Sequence, residues 1–302
     1  MTDAPPPTID PVAARRWAAR PHAQSPWLHE EVARRMAARL DVIRLPVQRW
    51  AHWEPARGGL AGHALVAAHY PHAQAFQVSA QTSQAPQAIK NEAWWKRWSR
   101  SRAQTAAAAP PAGAMQLVWA NMLAHQAADP AALLADWHRA LAADGFVMFS
   151  CLGPDTLREL RALYAAAGWP PPAQEFTDLH DWGDQLIAAG FAEPVMDMER
   201  LTLTYETPAR LLAELRELGR NQHPARHAAL CTPAWRERLE QALDRHLRLA
   251  GGGPLGLTFE IIYGHALKPA PRHPVTARTT VSLHDMKQHL RQGTSHESPK
   301  NS

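Results

Sequence analysis

The sequence is poor in cysteine and lacks any long apolar run. Cys151 and Cys231 are its only cysteines among 302 residues, too few for a disulfide framework, and they indicate a reducing compartment. No stretch reaches the roughly 18 consecutive apolar residues of a membrane-spanning helix. The opening residues, MTDAPPPTIDP, also lack the basic and apolar regions of a secretory signal. We therefore expect a cytoplasmic protein that does not bind a membrane.

A strong charge of either sign is also missing. The 32 basic and 28 acidic residues leave a formal net charge of +4, spread over scattered arginines and the C-terminal tail, which does not favour a nucleic-acid partner. The stretch KNEAWWKRWSRSR (90–102) is basic and rich in tryptophan. It has two interpretations: a contact surface for a phosphate-bearing partner, or a surface helix whose tryptophans pack onto the protein.

Apolar runs of strand length alternate with helical patterns over most of the chain, and several of the helices are preceded by Asp-Pro or Thr-Pro. Strands are predicted at 47–55, 73–80, 115–121, 146–152, 195–205 and 255–267. Helices are predicted within 11–45 and at 58–68, 130–141, 153–168, 178–190, 208–219 and 233–247. The alternation predicts an α/β fold with a doubly wound, mostly parallel sheet that binds ligands at the carboxyl ends of its strands. The last strand alternates like a half-buried strand and predicts one antiparallel edge.

These elements predict one folded domain with two disordered ends. We expect a disordered lead at 1–10 and a disordered tail at 268–302. The domain at 11–267 includes N-terminal helices and a helical insertion at 207–250.

The second half of the chain carries the most specific pattern. MQLVWAN (115–121) is followed by a helix, an Asp-Gly turn and the strand FVMFSCL, and later by FTDLHDWGDQLIAAGFAEPVMDMERLTLTYET and FEIIYGHAL. This order resembles a Class I S-adenosylmethionine-dependent methyltransferase. Within that class it resembles the malonyl-acyl-carrier-protein O-methyltransferases of biotin synthesis, over most of residues 27–267 and most clearly after 115. LHEEVARRMAARLDVI near the start also fits that family's leading helix.

The resemblance implies a Rossmann-like sheet, S-adenosylmethionine as cofactor, and methylation of the free carboxylate of a malonyl thioester on acyl carrier protein. Such a methyl transfer is an in-line displacement, so the protein mainly has to position donor and acceptor. The carboxylate is already ionised at neutral pH, so no general base is expected. An acidic carrier would suit the basic stretch or the arginine-bearing helices.

The family's glycine-rich motif, D-x-G-x-G-x-G after the first strand, is altered in this chain. When the motif is aligned with this sequence, His52 replaces its acid, Glu54 replaces its first glycine and Ala56 replaces its second. Gly58 and the following Gly59 remain. A side chain at the first glycine adds a Cβ and a charge where the cofactor approaches the backbone. His52, Glu54, Gly58 and Gly59 are the candidate cofactor-binding residues of this loop.

Two further features of the family's cofactor site are changed. The carboxylate expected at the end of the second strand is absent, and Gln77, Ser79 or Gln81 remain as neutral hydrogen-bonding groups. The tyrosine that the family has near its N-terminus corresponds to His22. Two interpretations stay open: a methyltransferase with a rebuilt cofactor pocket, or a catalytically inactive relative that binds a carrier or partner.

The remaining candidates come from the second half of the chain. Asn121, after the fourth strand, corresponds to a position near the transferred methyl group in related enzymes, and is equally explained as a loop asparagine. Asp155 and Arg158 begin a helix beside the carboxyl edge of the sheet, where an arginine suits the substrate carboxylate and where helix-cap or ion-pair roles also fit.

A metal site is not expected. His223, His227 and Cys231 are spaced by four residues, as on one helical face, but prolines interrupt that helix and no fourth ligand is evident.

Overall fold

The computed structural model describes residues 9–20, 24–79, 105–107, 110–227 and 232–270, with 105–107 described by their backbone alone. The predictions made for His22, Gln81, the basic stretch 90–102 and Cys231 lie outside the described residues, as do 1–8 of the lead and 271–302 of the tail. The described residues up to Pro269 belong to one compact unit.

A seven-stranded sheet in the order β3-β2-β1-β4-β5-β7-β6 forms the centre of the described chain. Its strands are β1 Arg49–Trp53, β2 Gln74–Val78, β3 Thr105–Ala107, β4 Met115–Ala120, β5 Leu141–Leu152, β6 Ala192–Tyr205 and β7 Leu255–Leu267. The first five pair in parallel, whereas β7 is antiparallel to both β5 and β6. The predicted α/β class, with a mostly parallel sheet and an antiparallel last strand, is confirmed.

The helices join these strands and cover the sheet. They are α1 Pro11–Ala18, α2 Trp27–Ala38, α3 Pro55–Gly58, α4 Leu60–His69, α5 Pro130–Ala140, α6 Arg158–Ala166, α7 Leu179–Ala188, α8 Pro208–Leu218 and α9 Pro233–His246. Asp129, Thr207 and Thr232 each accept a backbone N–H in the first turn of the helix that follows, with proline at its start, as their sequence predicts. Among the described helices, none combines the length and apolar character needed to cross a bilayer.

The prediction that a helix begins at Gly153-Pro154 is wrong, because the chain makes a turn there and α6 begins at Arg158. Strand β7 holds this turn. Leu157, with φ 58°, donates its N–H to the carbonyl of Thr258 over 2.7 Å. The carboxylate of Glu260 accepts the N–H of Asp155, also over 2.7 Å. A sequence pattern does not reveal this pairing between residues about a hundred positions apart.

Two apolar layers lie against the faces of the sheet. One joins Leu28 and Val32 of α2 to Trp50 and Trp119, and the other joins Trp137 of α5 to its strand neighbours. Strand β7 is buried along nearly its whole length, so the prediction of a half-buried strand is wrong. It lies between β5 and β6 and has helices on both faces, which leaves neither face to solvent.

Candidate cofactor and substrate site

The loop after β1 lies where the strand order reverses, since β1 pairs with β2 on one side and with β4 on the other. Ligands of open α/β sheets bind at this position. Glu54, at the first glycine of the family motif, has φ 49° and ψ 57°, a left-handed conformation that favours glycine. A side chain held there costs about 1 kcal/mol or more, so surrounding contacts must stabilise it.

Gly58 and Asn121 tie this loop to the end of β4. A Cβ on Gly58 would lie 2.6 Å from the Asn121 carbonyl oxygen, so only glycine fits without a backbone shift. The Asn121 amide nitrogen donates to the carbonyls of Gly58 and His29, and its oxygen accepts the Ser150 hydroxyl over 2.6 Å. Asn121 is fully buried and lines neither of the two cavities described below.

His52 lies away from the loop's ligand side. Its ring is fully buried and stacks on His63 of α4, with 5.4 Å between ring centroids and 3.3 Å between the two Nδ1 atoms. Burial, with a smaller contribution from His63, holds the pKa of His52 well below its usual value, so the ring is neutral at neutral pH. The motif acid has thus been replaced by a neutral group that packs into the apolar layer.

A cavity of about 270 Å³ opens at the carboxyl ends of β1 and β4, and we call it the cofactor cavity. Trp53 and Glu54 line it from the loop after β1, and Leu123 and Gln126 line it from the loop after β4. Helix α1 covers it, with Trp17 facing in. Of the predicted cofactor-binding residues, Glu54 lines this cavity, whereas His52, Gly58, Gly59 and Asn121 support the loop around it.

Arg57 also lines the cofactor cavity, and no sequence pattern predicts this position. Its side chain is nearly buried, and its Nη2 donates to the carbonyls of Trp17 (2.8 Å) and Ala18 (2.5 Å) at the carboxyl end of α1. Its Nε lies 3.9 Å from Glu54 Oε2, which also accepts the Ser79 hydroxyl over 3.3 Å. Burial lowers the pKa of the guanidinium. The loop and α1 therefore enclose a carboxylate beside a guanidinium.

A second cavity, of about 240 Å³, lies beside the first; we call it the acyl cavity. Its walls come mainly from α6, α8 and the segments 172–176 and 219–222, and they are largely apolar. Gln126 lines both cavities, and its side-chain oxygen accepts the Trp17 indole N–H over 2.6 Å. The two cavities therefore adjoin at the Trp17–Gln126 hydrogen bond.

The structure places Asp155 and Arg158 outside both cavities. Asp155 forms an ion pair with Arg200 at 2.7 Å, and Arg158 lies 3.9 Å from Asp155 and 3.1 Å from Glu159. Both side chains are at least a third exposed. Arg216 and Arg220 line the acyl cavity, and no sequence pattern predicts either of them as a site residue.

The histidines considered for a metal have other contacts. His223 Nδ1 accepts the Ala225 N–H over 2.9 Å, and the His227 ring stacks on Trp235. Within the described ranges, no group of three histidine, cysteine or carboxylate side chains is arranged to hold a metal. Cys151 is buried, which raises the pKa of its thiol.

The fold agrees with that of a solved structure. The YcgJ protein from Bacillus subtilis superimposes with a TM-score of 0.51 at 14% identity, covering 78% of this chain and 98% of that one. A likeness at this identity supports the fold alone. No protein-family model matches the chain.

Sequence relatives carry the assignment further. The malonyl-[acyl-carrier protein] O-methyltransferase of Gallionella capsiferriformans is 36% identical over 262 residues, which are 84% of this chain and 89% of that protein. The protein of the same name from Laribacter hongkongensis is 36% identical over 255 residues, 81% of this chain and 84% of that protein. Identity at this level over nearly the whole length places the chain in one family with them. The protein belongs to the malonyl-[acyl-carrier protein] O-methyltransferase family and has the Class I methyltransferase fold.

Proposed function

We propose that the protein transfers a methyl group from S-adenosylmethionine to the free carboxylate of a malonyl thioester on acyl carrier protein, in biotin synthesis. One observation carries the geometric part of this proposal: a cavity at the switch point of the sheet, lined by Glu54 and Arg57, adjoins a second cavity at Gln126. Methyl transfer needs donor and acceptor in separate sites whose reacting atoms meet within contact distance. The names of the relatives supply the substrate class.

The residues of the cofactor cavity fit the amino-acid end of S-adenosylmethionine. The Glu54 carboxylate and the Arg57 guanidinium, 3.9 Å apart, complement an ammonium and a carboxylate on one ligand. Trp17 and Trp53 add aromatic surface, which attracts cationic groups such as a sulfonium. Glu54 thus offers the cofactor a charge where the family motif offers bare backbone, and these four residues would hold it.

The chemistry requires little of the protein beyond positioning. Bound S-adenosylmethionine would supply an electrophilic methyl group on a sulfonium. Transfer would form one bond, between a carboxylate oxygen of the acceptor and that methyl carbon, and break one, the carbon–sulfur bond, whose electron pair would remain on sulfur. No proton moves, because a carboxylate is ionised at neutral pH. Trp17 and Gln126 lie at the boundary between the two cavities, where donor and acceptor would meet.

We expect the partner to be an acidic acyl carrier protein and the site of action to be the cytoplasm. The alternative, an inactive relative that binds a carrier without methyl transfer, rests on the altered motif alone, and no comparison favours it. In the structure the altered residues either support the loop, as His52 does, or place a charge in the cavity, as Glu54 does.

Calorimetric titration with S-adenosylhomocysteine tests the cofactor assignment. We expect saturable binding of one ligand per chain, and weaker binding to Arg57→Met, which loses the guanidinium of the cavity. Absence of binding to the wild-type protein at millimolar ligand would overturn the enzyme proposal. Arg245→Gln is a matched control, since Arg245 is exposed on α9 and does not line the cavity.

A further inference from the structure

The Trp17–Gln126 bond fixes the orientation of the Gln126 amide. An indole N–H is a donor only, so the atom that it meets at 2.6 Å must be the amide oxygen. The Gln126 amide nitrogen therefore points the other way, towards His125 Nε2 at 3.3 Å. Because an amide nitrogen donates, His125 Nε2 must accept.

This bond selects one tautomer of His125. A neutral imidazole carries one proton, so when Nε2 accepts, the proton is on Nδ1. The ring is 7% exposed and lines the acyl cavity beside Phe176. Burial lowers the pKa of His125 to about 3, which keeps the ring neutral at physiological pH.

The Nδ1–H of His125 has no hydrogen-bond acceptor among the residues that the structure describes. A buried donor without a partner costs about 1–3 kcal/mol, and such a group is often completed by a ligand. His125 lines the acyl cavity, so a ligand there that brings an oxygen of a carboxylate or a carbonyl to this N–H would supply the missing acceptor.

Two arginines at the same cavity favour an anion. Arg216 and Arg220 both line it, and no ion pair joins either of them to a carboxylate within the described part of the chain. Arg220 lies over the Trp17 ring, with 5.6 Å from its guanidinium carbon to the ring centroid. Burial, and after it the neighbouring charges of Arg20 and Arg216, lower the pKa of Arg220.

We propose that the acyl cavity binds the methyl-accepting carboxylate, with His125 Nδ1–H donating to one of its oxygens and Arg220 balancing its charge. This inference rests on the proposed function and assigns residues to its substrate. His125 and Arg220 are specificity-determining residues: they distinguish an acyl group that ends in a carboxylate from a neutral one.

The substrate also carries a second anion, the phosphate of the carrier's pantetheine arm. The position of His125 and Arg220 favours the acyl carboxylate as their ligand. The reacting carboxylate must contact the donor, so it must lie at the junction of the two cavities. Gln126 lies at that junction and is hydrogen-bonded to both His125 and Trp17. Arg220 lies over the Trp17 ring. The phosphate is attached to the far end of the arm.

The test compares two small thioesters that lack phosphate, malonyl-S-N-acetylcysteamine and butyryl-S-N-acetylcysteamine, by calorimetric titration with and without S-adenosylhomocysteine. The wild-type protein should bind the malonyl compound at least tenfold more tightly. His125→Gln should lose this preference, because a glutamine amide reaches the position of Nε2. His125→Asn should retain most of it, since an asparagine amide nitrogen lies near the position of Nδ1.

Arg220→Gln should also reduce the preference at least tenfold, while Arg245→Gln should leave it unchanged. Thermal unfolding and S-adenosylhomocysteine affinity report whether each variant is folded. If His125→Gln does not fold, the binding preferences of His125→Asn and Arg220→Gln test the inference. Failure to bind S-adenosylhomocysteine would count against the proposed function and not against this assignment.

Two results would overturn the inference. One is equal binding of the malonyl and butyryl compounds to the wild-type protein. The other is a preference that survives in both His125→Gln and Arg220→Gln. A third titration, with butyryl-4′-phosphopantetheine, addresses the phosphate directly. If Arg220→Gln weakens this ligand as much as the malonyl compound, the arginine binds the arm and the assignment is wrong.

Discussion

Trp17 and Gln126, 109 residues apart in the chain, are joined by a hydrogen bond of 2.6 Å from the indole N–H to the amide oxygen. The bond holds α1 over the cofactor cavity and forms the boundary with the acyl cavity. It also sets the orientation of the Gln126 amide and, through it, the tautomer of His125. One contact thus connects the helix that covers the cofactor cavity to the histidine that we propose recognises the acceptor.

Trp17→Phe should lower both the stability of the protein and its affinity for S-adenosylhomocysteine. The variant keeps an aromatic wall and loses the N–H, so we expect the free energy of unfolding to fall by about 1 kcal/mol. S-adenosylhomocysteine affinity should fall several-fold, because α1 is held less firmly. Urea unfolding and calorimetry measure the two effects.

Trp27→Phe is the matched control. Trp27 also donates its indole N–H, to Glu214 over 2.7 Å, but it is exposed and lines neither cavity. An equal loss of ligand affinity in both variants would contradict a specific role for Trp17.

Substitutions at Glu54 separate steric obstruction from charge recognition. If the side chain obstructs the cofactor, Glu54→Gly restores the family's glycine and binding tightens. We expect the opposite: Glu54→Gly and Glu54→Gln should both lower S-adenosylhomocysteine affinity about tenfold, the effect of losing a charged hydrogen bond. Glu54→Gly should at the same time relieve the left-handed backbone strain and leave stability unchanged or raised. Tighter binding to Glu54→Gly would refute the role given to the carboxylate.

Gly58→Ala should destabilise the protein by about 1–3 kcal/mol, because its Cβ would meet the Asn121 carbonyl oxygen at 2.6 Å. The loop should shift, and cofactor affinity should fall with it. Gly183→Ala, in the middle of α7, is the control: its Cβ meets nothing closer than 3.8 Å, and alanine favours a helix by about 0.5–1 kcal/mol. Thermal unfolding of the two variants should therefore shift in opposite directions.

Buried neutral histidines should make the protein sensitive to mild acid. Burial lowers the pKa of His52 and His125 in the folded state, whereas an unfolded histidine titrates near 6.5. Below that pH the unfolded chain binds protons that the folded chain does not, so stability is present above about pH 6.5 and is lost as the pH falls. Each histidine contributes a slope of up to about 1.4 kcal/mol per pH unit, down to a pH of about 3 for His125.

Urea unfolding at several pH values between 7.5 and 5 measures this slope. His125→Asn should reduce it by up to about 1.4 kcal/mol per pH unit. His180→Asn, at an exposed position of α7, should not. Unchanged stability of the wild-type protein over this range would show that His52 and His125 are not held neutral.

The sequence predicts the fold well where the signals are local. Alternating apolar residues predict the bounds of β7 at Leu255–Leu267, and Thr207 and Thr232 before prolines mark the starts of α8 and α9. The burial of both faces of β7 was not predictable, because it depends on which strands and helices lie next to it. The start of α6 was misplaced for a similar reason, since contacts with β7 set the turn before it.

The site is predicted less well than the fold. The motif alignment identifies Glu54 and the loop that carries it, but Arg57, Gln126 and His125 have no recognisable pattern. Their roles depend on contacts with α1, which is some 40 residues from Arg57 and 109 from Gln126. The family resemblance predicts that Asn121 lies near the transferred methyl group, and the structure adds that its buried amide ties two loops together.

The most direct test of the account is a single-turnover reaction of the protein with S-adenosylmethionine and malonyl-acyl carrier protein, followed by mass spectrometry of the carrier. We predict that the carrier gains the mass of one methylene group and that the gain is located on the malonyl carboxylate as a methyl ester. The same reaction with butyryl-acyl carrier protein should leave the mass unchanged. An unmodified malonyl carrier, from a folded protein that binds S-adenosylhomocysteine, would contradict the proposed reaction.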